Sequence, residues 1–133
     1  MSSQLGDGGM PLLAAIGLSF DDYGDGWSAA AWTPTTMACN PFGIVHGGVY
    51  AAFAEGLCSS ATYMSVRGDG KVAVGSSNFT SFLRPVMSGV VTAQARALHR
   101  GRTSWVWECE FTNEAGKRCA ISRVTLAVID PPS

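Results

Sequence analysis

The order of apolar and polar residues predicts one long helix followed by strands. From Gly48 to about Met64 nearly every residue is apolar or small, alanine is frequent, and Glu55 is the only charged residue. Such a segment is typical of a helix that is buried on all sides. A short helical turn is expected at residues 10–17 (MPLLAAIG), because proline suits the start of a helix and glycine its end.

The residues after the long helix alternate between apolar and polar, which indicates strands. The clearest case is TSWVWECEF at residues 103–111, and similar segments rich in β-branched and aromatic residues lie at 72–83, 90–98 and 119–129. The breaks between them, RPVMSG, HRGR and NEAGK, are short and contain turn residues. We therefore expect hairpin connections between four successive strands.

The segment before the long helix predicts one further strand. Residues from about 26 to 35 contain two tryptophans and stop at Pro34, as strands closed by a proline do. The preceding DDYGDG is expected to be a loop. A helix packed on one face of an antiparallel sheet is an α+β layout, and 133 residues suit one domain over residues 1–133.

The charge content suggests a covered surface and an anionic ligand. Charged residues make up 14% of the chain, against about 25% in typical soluble domains, so part of the surface is expected to be covered by another subunit. All nine basic residues lie between Arg67 and Arg123, and an anionic ligand should therefore bind the second half. The net charge of −1 and the lack of a dense basic run argue against nucleic acid.

The sequence predicts a cytoplasmic protein with free cysteines. The chain has no apolar run of the roughly 18 residues that a membrane span requires, and its start lacks the features of a signal peptide. We expect no membrane association and a cytoplasmic protein. The four cysteines are widely spaced with no Cys-x-x-Cys pair, which predicts free, mostly buried thiols and no metal site.

The His46-Gly47-Gly48 segment, at the start of the long helix, is a candidate site for binding a carbonyl oxygen. The first N–H groups of a helix have no partner within it, and glycine allows a ligand to approach the backbone closely. Gly47 and Gly48 could therefore form an oxyanion hole, aided by the positive end of the helix dipole. The alternative is that the two glycines only form a tight turn.

Glu55 is the candidate catalytic carboxylate. Burying an unpaired charge is costly, so its place on an apolar helix calls for a function. The helical spacing of Gly48, Glu55, Ser59 and Thr62 puts them on one polar stripe, where Ser59 could hydrogen-bond the carboxylate or a water. The alternative is that Glu55 pairs with an arginine across an interface.

Gly47 and Glu55 are too far apart to act on one substrate within one chain. They are eight residues apart, which is about 12 Å along a helix. If both are catalytic, Glu55 must come from a second copy whose helix runs antiparallel across a two-fold axis.

Several segments together resemble the hotdog-fold thioesterases, in particular the PaaI-like group and the 4-hydroxybenzoyl-CoA thioesterases with Glu on the helix. They are Asn-x-x-Gly-x-x-His-Gly-Gly at residues 40–48, the acidic residue nine positions after the His, and the strand segments SNFTSFLRPVMSG and EAGKRCAISRVTLAV. The resemblance implies a long central helix wrapped by an antiparallel sheet. It also implies hydrolysis of acyl-CoA thioesters at sites shared between subunits of a homodimer at least, or of a tetramer built as a dimer of dimers.

The resemblance also implies roles for individual residues. A glycine of the Gly47-Gly48 pair binds the thioester oxygen, Glu55 is nucleophile or general base, and Asn40 and Ser59 assist. His46 either takes part or only orients the loop through a hydrogen bond. Glu rather than Asp at position 55 places the chain nearer the enzymes that act on aromatic acyl-CoA.

Coenzyme A, as part of the substrate, calls for cationic contacts but for no separate cofactor. Arginine binds phosphate in pairs of hydrogen bonds, and the candidates near loop ends are Arg84, Arg100 and Arg102, with Thr103 adding a hydroxyl. The alternative for each is a solvated surface charge. Met64, Phe79 and Phe82 could line an acyl pocket, although such residues are more often core.

Three other functions stay open from the sequence. One is an acyl-CoA dehydratase or hydratase of the same fold, which needs a His and an acid placed together for proton transfer. Another is a non-catalytic module that senses acyl-CoA. The third makes Cys39 or Cys58 the nucleophile, with His46 near Cys39 in sequence.

Overall fold

One long helix and six strands form most of the structure, a computed structural model that describes residues 11–17 and 22–133. The helices and strands, numbered in chain order, are α1 (Pro11–Ala15), β1 (Asp22–Gly24), β2 (Trp27–Trp32), α2 (Gly47–Val66), β3 (Val72–Phe82), β4 (Val91–Arg100), β5 (Ser104–Thr112) and β6 (Arg118–Ile129). Short 3-10 turns precede and follow α2. The predicted helix and strands are confirmed, and α2 lies against one face of the sheet.

The six strands form one antiparallel sheet in the order β1-β2-β4-β5-β6-β3. The predicted hairpins between β4, β5 and β6 are confirmed, and their turns close through hydrogen bonds such as Gly101 N–H to Ser104 O at 2.8 Å. The predicted hairpin between β3 and β4 is wrong, because β3 pairs with β6 at the sheet edge. Alternation identifies a strand but does not determine its neighbour.

The predicted loop DDYGDG is also partly wrong. Asp22–Gly24 is strand β1 and pairs with β2, with Asp22 opposite Ala29. Asp21 lies outside the described residues. Three residues are too few for a recognisable alternation, so only the pairing with β2 reveals this strand.

The side of α2 that faces the sheet forms the core. The Phe53 ring meets the Trp32 ring edge to face at a centroid distance of 4.5 Å, and Leu57, Cys58 and Ala61 are buried beside them. Such apolar burial and aromatic contact hold the helix on the sheet. The position and direction of α2 therefore follow from its large apolar residues.

The other side of α2 is open in the single chain. Ala51, Ala52 and Ser59 are half-buried and Glu55 is exposed, so the expectation of a helix buried on all sides is wrong for the chain alone. The residues of this side are small or polar, and no segment among the described residues covers them fully. The open side of α2 lies beside the edge strand β3, which carries the exposed apolar side chains Val74, Phe79 and Phe82.

No helix in the described part of the chain is long and apolar enough to cross a membrane.

Candidate active site

The loop before α2 is held in shape by Asn40. Its side-chain oxygen accepts hydrogen bonds from the N–H groups of Phe42 at 2.9 Å and Ile44 at 3.1 Å, while its own N–H donates to Ile44 O at 2.8 Å. This is how asparagine side chains commonly stabilise turns, and Gly43, with φ of 80°, completes it. Because the Asn40 oxygen is engaged, only its amide NH2 group is left to contact a substrate.

His46 is the N-cap of α2. It has an extended backbone (φ −67°, ψ 133°), and its Nδ1 accepts a hydrogen bond from the Gly48 N–H at 3.3 Å. The imidazole thus satisfies one of the first N–H groups of the helix. This contact matches the interpretation of His46 as a residue that orients the loop.

The two predicted oxyanion donors differ in availability. Gly48 donates to His46, whereas the Gly47 N–H has no acceptor among residues 11–17 and 22–133. Gly47 is the first residue of α2, where the partial positive charge of the helix end is concentrated. In this structure the Gly47 N–H is the one that is free to bind a carbonyl oxygen.

A cleft of about 450 Å³ opens at the start of α2. We call it the Gly47 cleft. It is lined by Ile44, Val45, His46, Gly47, Gly48, Tyr50, Phe82, Leu83, Arg84 and Pro85. The Phe82 ring lies directly against Gly47, since a Cβ added there would be 2.6 Å from the ring. Any side chain at position 47 would therefore require the Phe82 ring to move.

Glu55 lines a second cleft, of about 370 Å³, which we call the Glu55 cleft. Its other residues are Ala51, Ala52, Asn78, Thr80 and Phe82. The carboxylate lies over Gly75, where an added Cβ would be 3.0 Å from the carboxyl carbon. No cation lies within ion-pair distance of Glu55 in the described part of the chain, and the alternative of an arginine across an interface stays a prediction.

The sequence interpretation did not identify Asn78 and Thr80 as neighbours of Glu55. Asn78 donates from Nδ2 to the Ala51 carbonyl at 2.9 Å and accepts from Thr80 Oγ1 at 2.7 Å. The first bond joins β3 to the open side of α2, and the second lies within β3. The alternation of β3 could have indicated that residues 78, 80 and 82 share a face, but not that α2 lies over that face.

Two members of the predicted polar stripe are arranged differently from expectation. Ser59 Oγ donates to the main-chain oxygen of Glu55 at 2.7 Å and not to its carboxylate. Thr62 is fully buried, donates to Cys58 O at 2.8 Å, and accepts from Trp107 Nε1 at 2.9 Å. The prediction that Thr62 belongs to the polar stripe is wrong, because the Trp107 side chain meets Thr62 inside the core.

The four residues predicted to bind coenzyme A lie in two places. Arg84 lines the Gly47 cleft, and its N–H bonds to Cys119 O on β6. Thr103 lies at the other end, where its carbonyl accepts from the N–H of Val128 on β6. These two β6 residues are nine positions apart, which is about 30 Å along a strand. One chain therefore does not gather all four residues around one ligand.

Arg100 already has two partners at that far end. Its Nη1 bonds to Asp25 Oδ1 at 2.5 Å, and its guanidinium lies 5.7 Å from the centre of the Trp105 ring. Arg102, in the adjoining turn, is exposed. Of the four residues, Arg84 alone lies at the start of α2.

The cysteines are free, and three are buried, as predicted. Burial raises the pKa of Cys58 well above the ordinary value and that of Cys109 to about 12. A thiol that resists ionisation is a poor nucleophile, and Cys58 is fully buried and lies outside both clefts, which argues against Cys58 as the nucleophile.

The three apolar residues considered for an acyl pocket are also separated. Phe82 lines both clefts. Phe79 lies opposite Arg123 of β6 on the other face of the sheet, and Met64 packs against the core. Phe82 is thus the one that borders the candidate site.

Comparisons with known proteins agree on one family. Residues 42–120 match the model of the thioesterase superfamily. The proofreading thioesterase EntH of Cronobacter turicensis is 38% identical over 118 residues, which cover 89% of this chain and 85% of that protein. A thioesterase crystal structure from Haemophilus influenzae has a TM-score of 0.82 and 36% identity, and the match covers 89% of this chain and 82% of that one. The E. coli PaaI protein from the phenylacetic acid degradation operon has a TM-score of 0.79 and 27% identity, covering 90% and 84%.

Proposed function

Because this chain belongs to the thioesterase superfamily and has its hotdog fold, we propose that it hydrolyses acyl-CoA thioesters at sites shared between two chains. The observation that carries the proposal is the position of two groups that have no hydrogen-bond or ion-pair partner among the described residues. The Gly47 N–H and the Glu55 carboxylate each face an open cleft, yet they are eight residues apart on one helix.

In the proposed reaction the thioester oxygen accepts a hydrogen bond from the Gly47 N–H. This donor and the helix dipole stabilise the negative charge that the oxygen gains under attack. Glu55 of the partner chain either attacks the carbonyl carbon or removes a proton from the attacking water. The C–S bond breaks, coenzyme A leaves as the thiol, and one water molecule is consumed to give the free acid.

The arrangement supports a homodimer with antiparallel α2 helices. If Gly47 of one helix faces Glu55 of the other, the midpoint of the contact is Ala51. Ala51 and Ala52 are small and half-buried, so two helices could approach closely there. Phe82 of the edge strand β3 lies on the same face as α2 and would gain cover from the same partner. A tetramer would then be a dimer of such dimers.

Two further features belong to the proposal. Arg84 is the best candidate for a phosphate of coenzyme A at the start of α2, while Arg100, Arg102 and Thr103 could reach a ligand held by another chain. The four free thiols suit the reducing cytoplasm, where we expect the enzyme to act.

The dehydratase or hydratase alternative needs a His and an acid placed together for proton transfer. Nδ1 of His46 is engaged by the Gly48 N–H, and Glu55 of the same chain lies nine residues away, but a site shared between chains would bring Glu55 of the partner chain near His46. The match to thioesterases supports hydrolysis over this alternative, and an assay for the hydration of an enoyl-CoA tests it.

The decisive experiment is Glu55→Gln assayed against aliphatic and aromatic acyl-CoA thioesters. The substitution keeps the size of the side chain and removes its charge. We expect kcat to fall by about 100-fold or more on every substrate, in line with the loss of a general base. Glu108→Gln is a matched control, because Glu108 is bonded to Arg96 on the sheet, outside both clefts, and should retain activity. Near wild-type hydrolysis by Glu55→Gln would refute the proposal.

A single turnover in 18O-labelled water tests for a nucleophilic role of Glu55. Label in the Glu55 carboxylate identifies an anhydride that water attacks at the side-chain carbonyl, whereas a general base acquires no label. Label in the acid product alone fits either a general base or an anhydride that water attacks at the acyl carbonyl.

A further inference from the structure

Phe82 occupies an unusual position for a large apolar side chain. It is 59% exposed at the end of the edge strand β3, yet its ring lies against Gly47 and lines both clefts. The ring is thus the wall that the Gly47 cleft and the Glu55 cleft have in common. The Tyr50 ring is an aromatic neighbour of Phe82, at a centroid distance of 6.4 Å.

If the sites lie between two chains, as the proposed function holds, Phe82 is a wall between two different active sites. The Gly47 cleft of one chain then belongs to one site, and the Glu55 cleft of the same chain belongs to the other. Phe82 separates these two sites at a point that touches the oxyanion donor. An acyl group bound at Gly47 has little room to avoid contact with the ring.

We infer that Phe82 determines acyl-group selectivity by limiting the space beside the Gly47 N–H. The inference rests on the proposed function and adds to it the residue that sets the size of the acyl group. The ring offers an apolar face to compact or flat acyl groups. It excludes longer ones, because the space that they would need lies behind it in the Glu55 cleft.

The residues around Phe82 explain why one side chain has this effect. Gly47 has no side chain, and Ala51 and Thr80 are small, so removal of the ring would join clefts of about 450 and 370 Å³. Tyr50 is 3% exposed and held by Trp32 and Phe111, so it would stay in place. Truncation of Phe82 should therefore enlarge the acyl space and leave the core intact.

The experiment measures kcat/KM for straight-chain acyl-CoA from acetyl to decanoyl and for benzoyl-CoA. We expect Phe82→Ala to raise the decanoyl-to-benzoyl ratio of kcat/KM about tenfold or more, because removing apolar atoms from a pocket changes discrimination by at least this factor. Phe82→Leu should give a smaller change in the same direction. Phe82→Trp should lower the ratio, since the larger ring narrows the cleft.

Phe79→Ala is the matched control. Phe79 is an exposed phenylalanine of the same strand, on the opposite face and outside both clefts. Substitution of Phe79 should leave the decanoyl-to-benzoyl ratio of kcat/KM within about twofold of the wild-type ratio. Equal loss of activity on all substrates for Phe82→Ala, or the same shift for Phe79→Ala, would overturn the inference.

Binding measurements separate this inference from the proposed hydrolysis. Calorimetry with the same acyl series as non-hydrolysable thioethers of coenzyme A reports the pocket without turnover. If wild type hydrolyses no thioester but Phe82→Ala shifts the binding preference toward decanoyl, the hydrolysis proposal fails and the role of Phe82 stands. If neither binding nor turnover depends on the side chain at position 82, the role of Phe82 is refuted.

Discussion

A mixed dimer with one Glu55→Gln chain and one Gly47→Pro chain should retain about half of the wild-type activity, although each variant is inactive by itself. The expectation follows from the position of both residues on α2. The intact Gly47 of the first chain and the intact Glu55 of the second meet in one complete site. Both substitutions fall in the other site, which is lost.

The proline substitution suits the structure at this position. Gly47 is the first residue of α2, where proline is tolerated because its N–H is not used within the helix. The preceding His46 has ψ of 133°, in the extended region that a residue before proline prefers. The substitution therefore removes the candidate oxyanion donor with little change to the helix. Because any Cβ there approaches Phe82, Gly47→Ala serves as the control that adds the contact but keeps the N–H.

The expected recovery of about half of the wild-type activity depends on the geometry of α2. Eight residues span about 12 Å, whereas a donor and a nucleophile must each lie roughly 3 Å from the same carbonyl group. A chain cannot bend α2 to bring them together. If each site were nevertheless formed within one chain, both sites of the mixed dimer would carry one defect and no activity would return.

The assay requires mixed dimers of known composition. The two variants are coexpressed with different affinity tags, and dimers that carry both tags are isolated by two successive purifications. Release of the coenzyme A thiol is followed with a thiol reagent and expressed per dimer, beside wild type and the two homodimers. A mixed dimer no more active than either homodimer would refute the shared site.

Four other outcomes test separate parts of the structure. Gly47→Pro should lower kcat about 100- to 1000-fold relative to Gly47→Ala in steady-state assays, and equal values would exclude this N–H as the oxyanion donor. Ala51→Leu should shift the dimer toward monomer in size-exclusion chromatography and lower activity with it; an unchanged active dimer would contradict the proposed helix contact. Thr62→Val should lower the free energy of unfolding by about 1–3 kcal/mol in urea, because Trp107 Nε1 loses its buried acceptor, and no change would show that this bond is dispensable. The pKa of the Cys109 thiol is about 12 in the folded chain against an ordinary 9.0, so only unfolded chains ionise it between these values. Stability should therefore fall as pH rises above about 9, by up to about 1.4 kcal/mol per pH unit, and Cys109→Ala should reduce that slope in urea titrations at several pH values.

Local sequence patterns predicted most of the secondary structure and part of the site. The apolar run from Gly48 to Met64 predicts α2 to within two residues at each end, and alternation predicts β3 to β6 nearly as closely. These patterns succeed because helix and strand periodicity depends on neighbours in the chain. The distance between Gly47 and Glu55 could also be predicted from the sequence, since the rise per residue of a helix is constant.

Contacts between distant segments decided what the patterns could not. The pairing of β3 with β6, the buried side of Thr62 and the exposure of Glu55 all depend on what α2 packs against. The choice of Gly47 over Gly48 depends on a local bond, in which Nδ1 of His46 accepts from the Gly48 N–H, but the loop that carries His46 is held by a distant one, from the Val45 N–H to Val86 O. Sequence by itself therefore determined which residues can do chemistry and how far apart they lie on the helix. Only the tertiary structure decided which of their atoms remain free, because hydrogen bonds and side-chain packing are settled among residues far apart in the chain.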